Sequence, residues 1–218
     1  MVPHFSGSSE VRVGLTEALG EPDDTPLDGA FHAWADPEGE DPESGAYPFV
    51  FDCPDAKSYG KIALPSMARA QIAAFAHEIE VFPSEDAFEA AQDEEMPMAS
   101  RSFIPLGLFS DPEEDDETPL KASALLCGHV RRTEERRNGI TAHPFPWAEV
   151  ETLGGVFDVV ADPELLPGGI PTRRPAQGLF RLSGRLLECA NAPPGLLRRL
   201  HACTLAPPPA VRTVGSMR

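Results

Sequence analysis

Proline decides much of what this chain can fold into. Twenty-four of its 218 residues are proline, about twice the ordinary usage of roughly 5%. Each one removes a backbone N–H and fixes φ, so it is excluded from helix interiors and from central strands. They are spread along the sequence, which leaves room for short strands and loops and little room for long helices. Hydrophobic residues make up 41% of the chain, and a chain above about 150 residues buries roughly two-thirds of its unfolded surface. A real core is therefore expected.

Between the prolines the dominant pattern is alternation, the period of a half-buried strand. Val11–Leu15, Ala30–Ala35, Tyr47–Asp52 and Lys61–Leu64 read as short strands. Met67–Phe82 fits both periods. As a helix it carries a stripe of Ile72, Phe75, Ala76, Ile79 and Phe82; as a strand it alternates Phe75, His77, Ile79 and Val81 against Glu78 and Glu80. The strict alternation favours a strand over 72–82. Ser84–Gln92 is the clearest helix: Pro83 blocks continuation, Ser84 is an N-cap, and Glu85 and Asp86 suit the positive end of the helix dipole. Phe103–Phe109 is an apolar segment expected to pack back on the first part of the chain. Strands are expected at Ala124–Thr133, Trp147–Thr152, Val156–Ala161 and Gln177–Glu188, with a hairpin signal at Asn138-Gly139. Asp162–Leu166 reads as one helical turn at most. No internal repeat is apparent.

Charge divides the chain. Met1–Leu120 holds 27 acids and 5 bases, a net −22, and Lys121–Arg218 holds 13 bases and 8 acids, a net +5. Ser110–Thr118 has six acids in nine residues and reads as a solvated linker. The expected organisation is α+β and mostly β: an acidic α+β domain over 1–109, a linker over 110–120, a small antiparallel barrel over 121–191, and a proline-rich tail over 192–218 with a short helix near Gly195–Cys203. The halves either attract each other or present different surfaces to different partners.

The four cysteines, at 53, 127, 189 and 203, form no C-x-x-C pair. The opening residues have neither a basic region nor an apolar core of a signal peptide, and no apolar run approaches the roughly 18 residues that span a bilayer. A reduced, cytoplasmic protein with no membrane partner is expected. Basic residues are mostly arginine, and alanine and proline are plentiful, the composition of a GC-rich bacterial genome.

Strand, hairpin, strand, strand, helical turn and strand over residues 122–188 resemble a small Greek-key barrel of the OB-fold type. The segment offers four strands where that fold has five, and its helix is reduced to Asp162–Leu166. The resemblance implies an exposed face that takes single strands or sugars. Arg131 and Arg132, with Arg136 and Arg137, flank Glu134 and Glu135 near the hairpin. With Arg181 and Arg185 they would form a positive face, and Trp147 with Phe145 would supply a stacking platform. The same arginines can instead pair with the glutamates across the hairpin, and Trp147 can equally belong to a core.

Catalytic and metal signals are thin. Cys127-Gly-His129 puts a thiol and an imidazole on one side of a strand, but only His143 and Cys189 are available as further ligands in that segment. His77 lies beside Glu78 and Glu80, which point the other way on a strand. There is no phosphate-binding glycine loop, no nucleophile elbow and no H-E-x-x-H. The expectation is a non-enzyme without cofactor or metal that binds a protein partner. Two alternatives are single-stranded nucleic-acid binding through the C-terminal part, and an immunity or antitoxin-like role in which the acidic part neutralises a basic toxin.

Overall fold

The computed structural model describes residues 3–20, 27–93, 97–106, 108 and 122–190. The strands are β1 (Val11–Leu19), β2 (Gly29–Ala35), β3 (Pro48–Cys53), β4 (Ser66–Val81), β5 (Ser102–Pro105), β6 (Ser123–Arg137), β7 (Pro144–Thr152), β8 (Gly155–Val160) and β9 (Pro175–Cys189). One short helix, α1 (Glu85–Ala90), follows β4, capped by the Ser84 hydroxyl, which accepts from the Ala87 N–H at 3.1 Å. The expected linker over 110–120 and tail over 192–218 lie outside the described residues.

All nine strands belong to one sheet, in the order β1-β2-β3-β9-β4-β8-β7-β6-β5, with β1 also pairing β4 and β9 also pairing β6. Its axis is the long antiparallel ladder of β4 and β9, which runs from Ala68–Cys189 to Val81–Ala176. The segments on either side of 110–120 therefore share one sheet. The ambiguous Met67–Phe82 is strand, and longer than alternation alone suggested. Pairing on both edges satisfies its backbone, and from Ala70 to Ala74 every residue is buried.

These pairings contain a repeat that the sequence reading missed. In the first half β1, β2 and β3 form a meander, and β4 returns antiparallel to β1. In the second half β6, β7 and β8 form a meander, and β9 returns antiparallel to β6. The third strand of each half then meets the long strand of the other in parallel, Asp52 beside Ser183 and Asp158 beside Ala73. The registers superpose. Val11–Ala70 corresponds to Ala124–Phe180, and Val13–Ala68 to Leu126–Gly178. Phe31–Phe51 corresponds to Val150–Phe157. The central ladder maps onto itself about the pair Ala73–Ser183. Its two bulges also exchange: the extra residue is His77 at one end and Leu187 at the other. Val50-Phe51-Asp52 and Val156-Phe157-Asp158 fall on equivalent positions.

Three expectations need correction. The α+β reading of the N-terminal part is not supported: among its described residues the only helical elements are the six-residue α1 and one 3-10 turn, Ala56–Tyr59. Residues 122–188 supply four strands, and the ring of pairings that contains them closes only through β4 of the other half, so five strands of an OB-type barrel do not form within this segment. Lys61–Leu64 is not a strand; Gly60 at φ 65° and Pro65 bracket it, and Ile62 and Leu64 pack on the core from a loop. Asp162–Leu166 is a turn held by the Asp162 carboxylate, which accepts from the Glu164 N–H at 2.8 Å.

One core fills the interior. Phe49, Phe51, Ile72, Leu126, Phe157, Phe180 and Leu182 come from both halves. Phe103 of β5, the first residue of the apolar closing segment, stacks on Tyr47 at 4.6 Å and on Phe157 at 5.5 Å and so packs against both halves. Aromatic burial of this kind stabilises by roughly 1.5–3 kcal/mol per side chain. Among the described residues no helix is long and apolar enough to cross a membrane.

Candidate binding face

A strand sends alternate side chains to opposite faces. Phe51, Ile72, Ala74, Leu182, Phe157 and Val159 point into the core. Their neighbours Asp52, Gln71, Ala73, Phe75, Ser183, Arg181, Arg185, Asp158 and Val160 therefore form the outer face of the central strands. Across β7 this face continues through Trp147 and Glu149, which pair with Val160 and Asp158.

The outer face is covered at its centre by the segment that precedes β1. The Pro3 carbonyl accepts from the Ser183 hydroxyl at 2.6 Å. The Phe5 ring meets Phe145 edge-on at 6.0 Å and lies 6.5 Å from Trp147. Ser9 donates to Asp158 twice, from its N–H at 3.1 Å and from its hydroxyl at 2.5 Å. Asp158 also accepts from the Trp147 indole N–H at 2.8 Å and from the Gln71 amide at 3.2 Å. The Ser8 N–H adds a longer contact at 3.4 Å. This carboxylate is fully buried, and all five donors are neutral. Several hydrogen bonds do for it what a cation does for most buried acids.

Trp147 is 0% exposed, yet it stands outside the main core. Phe5 covers it, with the Arg136 guanidinium 3.8 Å and the Arg132 guanidinium 4.9 Å from its ring centroid. A Trp with two cations over its ring and a tilted aromatic neighbour is held by cation–π and ring-packing attraction. In this state its faces are taken by the chain itself, and it offers no open stacking platform.

The arginines do not gather on one positive face. Arg131 and Arg132 pair with Glu151 at 3.3 Å and Glu149 at 3.2 Å. Arg136 and Arg137 pair with Glu134 at 3.1 Å and Glu135 at 3.7 Å. Glu134 and Glu135 thus pair along their own strand, with Arg136 and Arg137, and the partners across the hairpin are Glu149 and Glu151 of β7. Arg181 pairs with Asp52 at 2.6 Å. It lies opposite Ser123 on β6, eight residues from Arg131, which is roughly 26 Å along a strand. Arg185 is half-buried beside His4. Burial, with the Arg185 charge behind it, holds the His4 imidazole below its ordinary value of 6.5, while Asp55 acts in the opposite sense.

The remaining candidates are dispersed. Cys127 is buried against Phe82, Phe88 and Met98, and burial raises its thiol pKa. His129 lies on the same side and contacts Glu85 of α1. His143 stands exposed in the hairpin loop, and Cys189 contacts the Ser66 hydroxyl at 3.4 Å. His77 is the bulged residue of β4 and is exposed with Glu78 and Glu80. Among the described residues no three His, Cys, Asp or Glu side chains form a metal-binding group.

Beside the covered part the outer face opens into a groove of about 600 Å³. Phe75, Ala76, Phe145 and Val160 form its apolar floor, and His143, Asp162 and Glu164 line its polar margin. The β6–β7 hairpin overhangs it. Asn138 shapes the tip by accepting from the Ile140 and Thr141 N–H groups at 2.9 and 3.0 Å, and this leaves Ile140 97% exposed. Sequence reasoning missed both the groove and the role of Phe5, because contacts between residues 5 and 145 leave no local pattern. No model of a known protein family matches this chain, and no curated protein is found similar to it.

Proposed function

We propose that the protein is a non-catalytic binding module whose partner is another protein, engaged by the outer face and the hairpin that overhangs it. One observation carries this reading. The hairpin arm is charge-neutral, its four arginines paired with its four glutamates and Glu151 shared with Arg101, while the groove beneath it has an apolar floor and its tip presents Ile140 to solvent. Nucleic-acid binding draws its strength from unpaired cations that replace counterions on phosphates. Protein recognition draws on apolar anchors with a polar rim, and this surface has that composition.

The test has two arms. Fluorescence anisotropy of labelled single-stranded DNA and RNA, across a salt series, is expected to stay flat with the full chain. Affinity capture with the full chain is expected to retain a protein that both Ile140→Glu and Phe75→Glu release. Salt-sensitive oligonucleotide binding, or capture indifferent to both substitutions, would refute the reading.

A further inference from the structure

The segment before β1 is bound like a ligand. Residues 3–10 form no strand and pair with no ladder. They hold the outer face through an aromatic ring and hydrogen bonds. Phe5 fills a site made by Phe145, Trp147 and the Arg136 guanidinium, 5.4 Å from its ring. Ser8 donates from its hydroxyl to Glu149 at 3.0 Å and accepts from Arg132 at 3.2 Å. Ser9 ends the run on Asp158. Between them Gly7 lies so close to the Asp158 carboxylate that a Cβ there would overlap it. The face thus reads three features in order: an aromatic side chain, a residue with no side chain two positions later, and two consecutive hydroxyl residues. The segment fills only part of the face, and the open groove continues from Phe145, the ring that Phe5 touches.

We propose that this face is a peptide-binding site, occupied here in cis by residues 3–9, and that its partner presents an extended aromatic-x-Gly-Ser-Ser segment in their place. The proposal rests on the protein-partner reading above and names the partner's chemistry. In extended-peptide recognition main-chain hydrogen bonds give affinity and side-chain pockets give specificity; here the segment adds no strand, and its hydroxyls and one aromatic ring join the main-chain contacts. The tethered segment competes at an effective concentration in the millimolar range. A free peptide therefore binds the unaltered chain weakly, and loosening the cis segment opens the site.

The experiment uses the full chain, unaltered and as Gly7→Ala, with a synthetic peptide of residues 2–10 and a second peptide carrying Ala in place of the glycine. Binding is read from tryptophan fluorescence and from amide shifts of isotope-labelled protein. The Gly7→Ala chain is expected to bind the first peptide at least tenfold more tightly than the unaltered chain does, and the Ala peptide at least tenfold more weakly. Phe5→Ala, which removes the anchor without crowding Asp158, is expected to open the site in the same way. The proposal is overturned if neither variant binds the first peptide, if the two peptides bind alike, or if the opened chains bind single-stranded oligonucleotide in preference to peptide. Failure here with capture still dependent on Ile140 would remove this site and leave the protein-partner reading intact.

Discussion

Asp52 and Asp158 stand at equivalent points of the two halves, each on the third strand of its meander, and equivalent residues of the long strands meet them. Arg181 of β9 takes Asp52, and Gln71 of β4 takes Asp158. From that one difference the surroundings diverge. The Asp52–Arg181 pair is complete in charge, and it stays at the surface with the arginine side chain 42% exposed. Gln71 brings no charge, so Asp158 gathers Trp147 and Ser9 as well and is sealed from water beneath residues 3–9. One fold unit, used twice, has thus become an open charged end and a closed end that needs a separate segment of chain to complete it. The face proposed to bind a partner is the closed end, where the completing segment can be exchanged.

The largest test of this contrast compares the two carboxylates. Asp158→Ala takes the acceptor from an indole N–H, a side-chain amide, the Ser9 hydroxyl and two backbone N–H groups. Each buried donor left unsatisfied costs about 1–3 kcal/mol, so a loss of about 3–5 kcal/mol is expected in chemical denaturation. Asp52→Ala removes a part-exposed ion pair and is expected to cost less than about 1 kcal/mol. Equal losses would erase the distinction between the ends. The next test asks whether the halves are one cooperative unit. Phe103 belongs to neither repeat, and its ring contacts Tyr47 and Phe49 of the first half and Phe157 of the second. Phe103→Ala is expected to cost about 3 kcal/mol and to keep a single transition seen alike by tryptophan fluorescence and circular dichroism. Two transitions would mean that the halves fold separately.

How much of this was legible follows from which interactions are local. The strands announced themselves because alternation is a property of consecutive residues, and Ser84 marked α1 because capping is local too. The pairing of β4 with β9 joins residues from 95 (Val81 and Ala176) to 121 (Ala68 and Cys189) positions apart, so nothing in either strand's own pattern named its partner. One trace of the repeat did lie in the sequence, the Val-Phe-Asp triplets at 50–52 and 156–158, too short to stand out without the register around it. Trp147 was readable as an aromatic beside arginines. That its cover is Phe5 was not, since Pro-His-Phe-Ser-Gly-Ser-Ser reads as an ordinary polar segment until it is seen on Asp158.

Smaller effects sharpen the contrast. Arg181→Gln gives the open end the residue type of the closed one, without a covering segment to bury Asp52. It is expected to cost at most about 1 kcal/mol and, read in a Trp34→Phe background because Trp34 lies on the neighbouring β2, to leave the fluorescence of Trp147 unchanged. A large loss would show that Asp52 depends on its partner as Asp158 depends on its donors.

The smallest expected effect is one of pH, and it concerns the covering segment alone. His4 sits between Arg185 of β9 and Asp55, which follows β3, with the Ser6 hydroxyl 3.5 Å away. Its pKa is held below 6.5 in place, chiefly by burial and then by Arg185. Above 6.5 the ring is neutral whether the segment is seated or free, and the contribution of His4 to seating is fully present. As pH falls below 6.5 the free segment takes up the proton more readily than the seated one, so seating weakens as pH falls toward the depressed value. Amide exchange of Ser8 and Ser9, whose N–H groups donate to Asp158, is therefore expected to lose protection between pH 7.5 and 5.5, while core amides such as Leu182 keep theirs. In His4→Gln that pH-dependent loss should disappear. If it persists unchanged, the titrating group lies elsewhere and His4 has no part in holding the closed end shut.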